Sequence, residues 1–115
     1  MSDYNYEIIK SSVMGWYEKV LLELKTQDEI MVSKNNDDVL IIDFDFKNCI
    51  AQLSVTNSQY VPYRFLYFEA MDKEVSDLED ITPIYSFYDK DSMQKDEVLC
   101  ALDEAVLFCS NYKGR

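Results

Sequence analysis

Asp43, Asp45 and Lys47 are the residues of this chain whose types and spacing come nearest to chemistry. Alternation along a strand puts Asp43 and Asp45 on the same side. Two carboxylates so placed can hold a divalent cation, and a nearby ammonium can stabilise charge on a phosphate. No third acidic ligand falls in frame with them, and Lys47 sits in a predicted turn with Asn48. A second acidic set runs through Glu69, Asp72, Glu74, Asp77, Glu79 and Asp80, relieved only by Lys73. It lacks the D-x-[DN]-x-[DN]-G frame and the glycine that a calcium loop needs for its sharp turn. Cys49, Cys100 and Cys109 show no C-x-x-C spacing, and the chain has no histidine to complete a zinc site or to activate a thiol. The expectation is a protein without catalytic, cofactor or metal site, whose carboxylates work as a surface.

Net charge says what such a surface is for. The chain carries 22 acidic residues against 11 basic ones, a formal −11 over 115 residues. Nucleic-acid phosphates repel such a molecule. A basic protein partner is attracted by it, because opposite fields speed encounter and reject wrong partners. Tyrosine supplies the complementary anchoring chemistry. There are nine tyrosines, of which Tyr60, Tyr63, Tyr67, Tyr85 and Tyr88 fall on predicted strands. Tyrosine buries area and keeps a hydroxyl for pairing, which suits protein interfaces and also cross-strand packing under helices.

The elements that must position these groups read off the hydrophobic spacing. Ile9, Val13, Trp16, Val20 and Leu24 repeat at helical intervals, widened by Ile8, Tyr17 and Leu21, and predict a helix over residues 4–26. Gly15 in its middle implies close packing at a helix crossing. Residues 30–34 and 39–46 predict strands joined by an Asn-Asn-Asp-Asp turn. In the second of them Leu40, Ile42, Phe44 and Phe46 share one face. Residues 49–55 continue after a tight Lys47-Asn48 connection. A long aromatic strand follows over 60–71, with Pro62 at its entry, then an acidic connection over 72–82 and a short strand over 83–88. Asp91 or Ser92 caps a second helix, Asp91 and Gln94 resembling a capping box. Its stripe is Leu99, Leu102, Val106 and Cys109, with Val98, Ala101 and Ala105 beside it.

Short turns favour an antiparallel meander, and each helix must bury one stripe. The expected fold is therefore a single α+β domain over residues 1–115: a four- to five-stranded meander sheet with the N- and C-terminal helices packed on one face. The other face is left to solvent or to a partner. The longest apolar run, Val39–Ile42, is far too short to span a membrane, and Met1-Ser2-Asp3-Tyr4 does not start a signal peptide. All three cysteines are expected as buried thiols in a reducing cytoplasm. Cys100 and Cys109 lie nine residues apart on one helix, roughly 13 Å along its axis, too far to bridge.

Three stretches carry a family likeness: VLIIDFDFKNCIAQLSV, YRFLYFEAMDKE and PIYSFYDKDS, between an amphipathic helix and a C-terminal helix. Their order resembles the small immunity proteins of bacterial polymorphic toxin and contact-dependent growth inhibition systems, and within them the TriTu type. The matching segments are Ile42-Asp43-Phe44, Lys47 to Val55 and Phe68 to Glu74; the type's tryptophan after the hairpin strand is replaced by Thr56-Asn57. The resemblance implies a cytoplasmic inhibitor that binds the C-terminal domain of a cognate toxin and blocks its active site. It further implies a basic toxin, a nuclease or tRNA-cleaving enzyme, that works with elongation factor Tu. The inhibitor would then meet elongation factor Tu only through the toxin.

Both lines lead to one expectation. Asp43, Asp45, Glu69, Asp72, Glu74, Asp77, Glu79 and Asp80 dock on a cationic cleft, and Tyr63, Tyr67 and Tyr85 anchor the complex. The free protein is expected as a monomer, binding neither nucleic acid nor membrane. Two other readings stay open. An acidic type III secretion chaperone would be a stable dimer. A metal-dependent nuclease would use Asp43, Asp45 and Lys47, which resemble the half-motif of PD-(D/E)xK enzymes.

Overall fold

The computed structural model describes residues 6–23, 29–57, 65–73, 83–90 and 93–114. Its order is α1 (Tyr6–Glu23), β1 (Glu29–Asn35), β2 (Val39–Asp45), β3 (Cys49–Thr56), β4 (Leu66–Asp72), β5 (Tyr85–Tyr88) and α2 (Lys95–Asn111). The five strands pair antiparallel with their sequence neighbours, in the order β1-β2-β3-β4-β5. Both helices lie on the same face of this meander, so the molecule is the two-layer α+β arrangement expected from the stripes. No helix among the described residues is long and apolar enough to cross a membrane.

Two short turns set the register. Asn36 accepts the backbone N–H groups of Asp38 (2.9 Å) and Val39 (3.0 Å) through its side-chain oxygen, which closes the β1–β2 turn. Between β2 and β3 the Phe46 N–H donates to the Cys49 carbonyl at 2.9 Å. Register then decides sidedness, because a slip of one residue would turn every side chain over. It places Ile42 opposite Val32 and Leu53, and Phe68 opposite Leu53 and Phe87, all on the helix side. Phe46, expected in the strand, lies one residue past β2 yet stays buried, stacked on Phe44.

The core is a rank of aromatic rings with aliphatic side chains around it. Trp16 of α1 meets Phe44, Phe44 meets Phe68, Phe68 meets Tyr85, and Tyr85 meets Phe108 of α2 at 5.0 Å between centroids. Ile9, Val13, Trp16 and Val20 form the buried stripe of α1, as the spacing predicts. The Trp16 indole N–H donates to Asp103 Oδ1 at 2.8 Å and ties α1 to α2.

In α2 the buried line is Val98, Leu102, Ala105 and Cys109, with Leu99 and Val106 only half-buried, so the expected stripe is displaced around the helix. The reason is position. One flank of α2 faces α1 through Asp103, the other faces β5 through Phe108, and the seam between them points into the sheet. The helix also begins later than the capping residues suggest. Its N-cap is Gln94, with no side-chain cap bond, and Asp91 and Ser92 lie outside the described residues.

Gly15 is a further correction. A Cβ there would meet nothing within 4 Å among the described residues, so no described helix crosses at this point and the residue is exposed. Cys100 corrects the expectation of three buried thiols: it is exposed, while Cys49 and Cys109 are buried. Those two meet between the start of β3 and the last turn of α2, where the Cys49 thiol donates to the Cys109 carbonyl at 3.6 Å. Past the helix, Tyr112 fastens the chain end to the sheet. Its hydroxyl donates to Asp72 Oδ2 at 2.6 Å and its carbonyl accepts the Asn48 side-chain amide at 2.9 Å.

Candidate functional site

Alternation along the strands gives the sheet a second face that neither helix covers. Cross-strand register assembles it row by row. One row reads Met31, Asp43, Gln52, Glu69 and Ser86 across all five strands. The neighbouring row reads Glu29, Asp45, Ile50 and Met71. On the other side stand Lys34, Ile41, Ser54, Tyr67 and Tyr88. The first two rows without Ser86, together with Tyr67 and Ser54, line an open concavity of about 1030 Å³, which Leu21 of α1 borders.

Polar contacts within the face hold its carboxylates in place. The Gln52 amide donates to Asp43 Oδ1 at 2.9 Å across the β2–β3 pair. The Tyr67 hydroxyl donates to Glu69, two residues along β4. Lys73, at the end of β4, pairs with Asp45. Both partners of that pair are well exposed, so it orients Asp45 more than it stabilises the fold. Among the described residues, four acids line the concavity (Glu29, Asp43, Asp45 and Glu69) and no lysine or arginine does. Between them Met31 is 61% exposed and Ile50 48% exposed, so water is in contact with substantial apolar surface on the same face.

Of the residues singled out in the sequence, the fold brings Asp43, Asp45, Tyr67 and Glu69 together on this face. It separates two others from them. Asp72 is opposite Cys49 on the helix side, 5% exposed, and accepts from Tyr112. Tyr85 is also on the helix side, between Phe68 and Phe108. Burial there raises its phenol pKa above the ordinary 10.0, with the Glu104 charge adding to the effect. Neither side chain reaches the acidic face. Tyr63, Glu74, Asp77, Glu79 and Asp80 lie outside the described residues.

Asp43 and Asp45 do project from one side of β2, as alternation requires, but each is engaged by a neighbour, Gln52 or Lys73. Lys47 is exposed in the β2–β3 turn. Among the described residues no three Asp, Glu, Cys or His side chains converge as a metal-binding group.

Glu29, Met31, Ile50 and Met71 belong to the concavity and were not singled out from the sequence. A signal for one of them was present. With Cys49, Ala51, Leu53 and Val55 pointing inward, Ile50 must point outward beside Gln52 and Ser54, an apolar residue on a polar face. Comparison with protein families, with curated proteins and with solved structures gives no match for this chain.

Proposed function

We propose that this protein is an immunity protein, which binds the basic C-terminal domain of a cognate toxin and occludes its active site. The observation that carries the reading is the uncovered sheet face. It joins Glu29, Asp43, Asp45 and Glu69 to exposed apolar side chains in one concavity that no cation among the described residues lines. Carboxylates held in this way stand in for the phosphates that a cationic cleft receives. Inhibition is by occupancy, with no chemistry done on the toxin. The net charge of −11 draws the basic partner in from a distance, and apolar contact on the floor slows its escape. The order of segments that resembles TriTu-type immunity proteins supports the same reading. It extends it to a nuclease toxin that acts with elongation factor Tu in the cytoplasm.

The test is protection. The basic C-terminal domain of a secreted protein encoded beside this chain is expressed with and without it, and growth is measured. Protection is expected with the native chain and its loss with the Asp43→Lys/Glu69→Lys double variant. Association in stopped flow is expected to slow several-fold as salt rises through the range that shortens the Debye length from about 10 Å to about 3 Å. Unaided turnover of a substrate by the purified chain, or tighter binding to RNA or DNA than to any basic protein, contradicts the reading.

A further inference from the structure

We infer that the concavity on the uncovered face seats one amphipathic α-helix of the partner, apolar along its seam and lysine- or arginine-bearing along its flanks. This rests on the reading above that a basic protein occupies this face.

Backbone chemistry favours a helix over an extended segment lying across the central strands. β2, β3 and β4 each have a neighbour on both sides, so their main-chain groups are taken up by the ladders. The face offers side chains only. An extended segment laid across it could pair its N–H and C=O groups only with scattered side chains such as Gln52 and Ser54, whereas a helix pairs its own. Shape agrees. From β1 to β4 the sheet is about 14 Å wide at the usual strand spacing. A helix with its side chains measures about 10–12 Å, and the concavity of about 1030 Å³ is open to solvent.

The floor is suited to an apolar seam. Met31, Ile50 and Met71 come from β1, β3 and β4 and converge on the same space, with Leu21 of α1 at its border. Methionine is unbranched and polarizable, so two of them let the floor adapt to the ridge of an incoming helix. The flanks are suited to cations. Asp43 and Glu69 stand on either side of Gln52, in one row across β2, β3 and β4. Their backbones are two strand spacings apart, about 10 Å, which matches the separation of basic residues on opposite flanks of one helix. Gln52 and Tyr67 hold the two carboxylates in place before the partner arrives.

The probe is a labelled peptide of about 18 residues, with leucines at helical spacing and lysines elsewhere, set against a scramble of the same composition. Anisotropy measures binding to the full chain, and methyl NMR locates it. The helical peptide is expected to bind at least about tenfold more tightly than the scramble, with shifts at Met31, Ile50 and Met71. Ile50→Ser/Met71→Ser should weaken it by about the same factor; Leu107→Ser, an exposed position on α2, should not. Circular dichroism checks that these surface variants fold. Equal, salt-sensitive affinity for both peptides overturns the helical seat and leaves the basic partner standing, since attraction by charge alone would persist. Shifts confined to α2, or no binding by either peptide, also overturn the seat. The toxin reading is then judged by the protection assay alone.

Discussion

Asp89 is 1% exposed, and its carboxylate accepts the backbone N–H groups of Phe65 (2.9 Å) and Leu66 (3.0 Å). It thereby fixes the entry of β4, and its own N–H donates to the Leu66 carbonyl at 3.1 Å. Removing a charged acceptor from a buried site leaves its donors dry. Asp89→Ala is therefore expected to cost about 2–3 kcal/mol in urea unfolding, and a cost below about 1 kcal/mol would mean that the strand entry is held by something else. Nothing around Asp89 in the sequence marks it for this role. Its partners are 23 and 24 residues away, and only the return of β5 along β4 brings them together. Asp43 is the opposite case: simple alternation along β2 predicts its outward face, and the fold agrees.

Among the elements, α1 carries a local defect. Gly15 sits in mid-helix with open space where a Cβ would be, so it costs backbone entropy and gains no packing. Gly15→Ala is expected to stabilise the protein by about 0.5–1 kcal/mol, read as a rise in thermal midpoint. A fall would mean that the position is covered after all. The contact between β3 and α2 yields a second expectation. Cys109 is buried against Cys49, and hydrogen bonding with the Cys49 side chain, followed by desolvation, pushes its pKa far above the ordinary 9.0. Native alkylation should modify Cys100 alone, with Cys49 and Cys109 reacting only after denaturation. Rapid labelling of Cys109 in the native state would show that the end of α2 opens. The helical period made a stripe on α2 predictable; which line of it is buried depends on α2 lying between α1 and β5.

For the whole molecule, pH links several sites. Tyr6 and Tyr85 both have pKa values raised above 10.0, first by burial and then by nearby acids, Asp38 for Tyr6 and Glu104 for Tyr85. The Cys109 thiol is raised above 9.0. For a group raised in the folded state, the stabilising contribution is complete below the unfolded pKa. Above it the unfolded chain loses its proton first, and stability falls as pH rises. Stability should thus decline above pH 9.0, and more steeply above 10.0. Urea midpoints followed through this range should fall less in Tyr6→Phe/Tyr85→Phe than in the native chain; parallel curves would remove the two phenols as the cause. Tyr6 suits the substitution in another respect, since its buried hydroxyl has no hydrogen-bond partner among the described residues.

The sequence by itself determined the element order, the meander and the choice of one buried sheet face, because strand period, helix period and turn chemistry are local properties written into neighbouring residues. It also determined that the molecule is a polyanion. Only the tertiary structure decided which carboxylates share a face. Glu29, Asp43 and Glu69 come from three strands, and their shared face depends on register across the ladders. The same register sends Asp72 and Tyr85 to the helix side, where packing against Tyr112 and Phe108 removes them from the acidic face. Long-range contacts of this kind follow from how the layers close on one another, which no local pattern encodes.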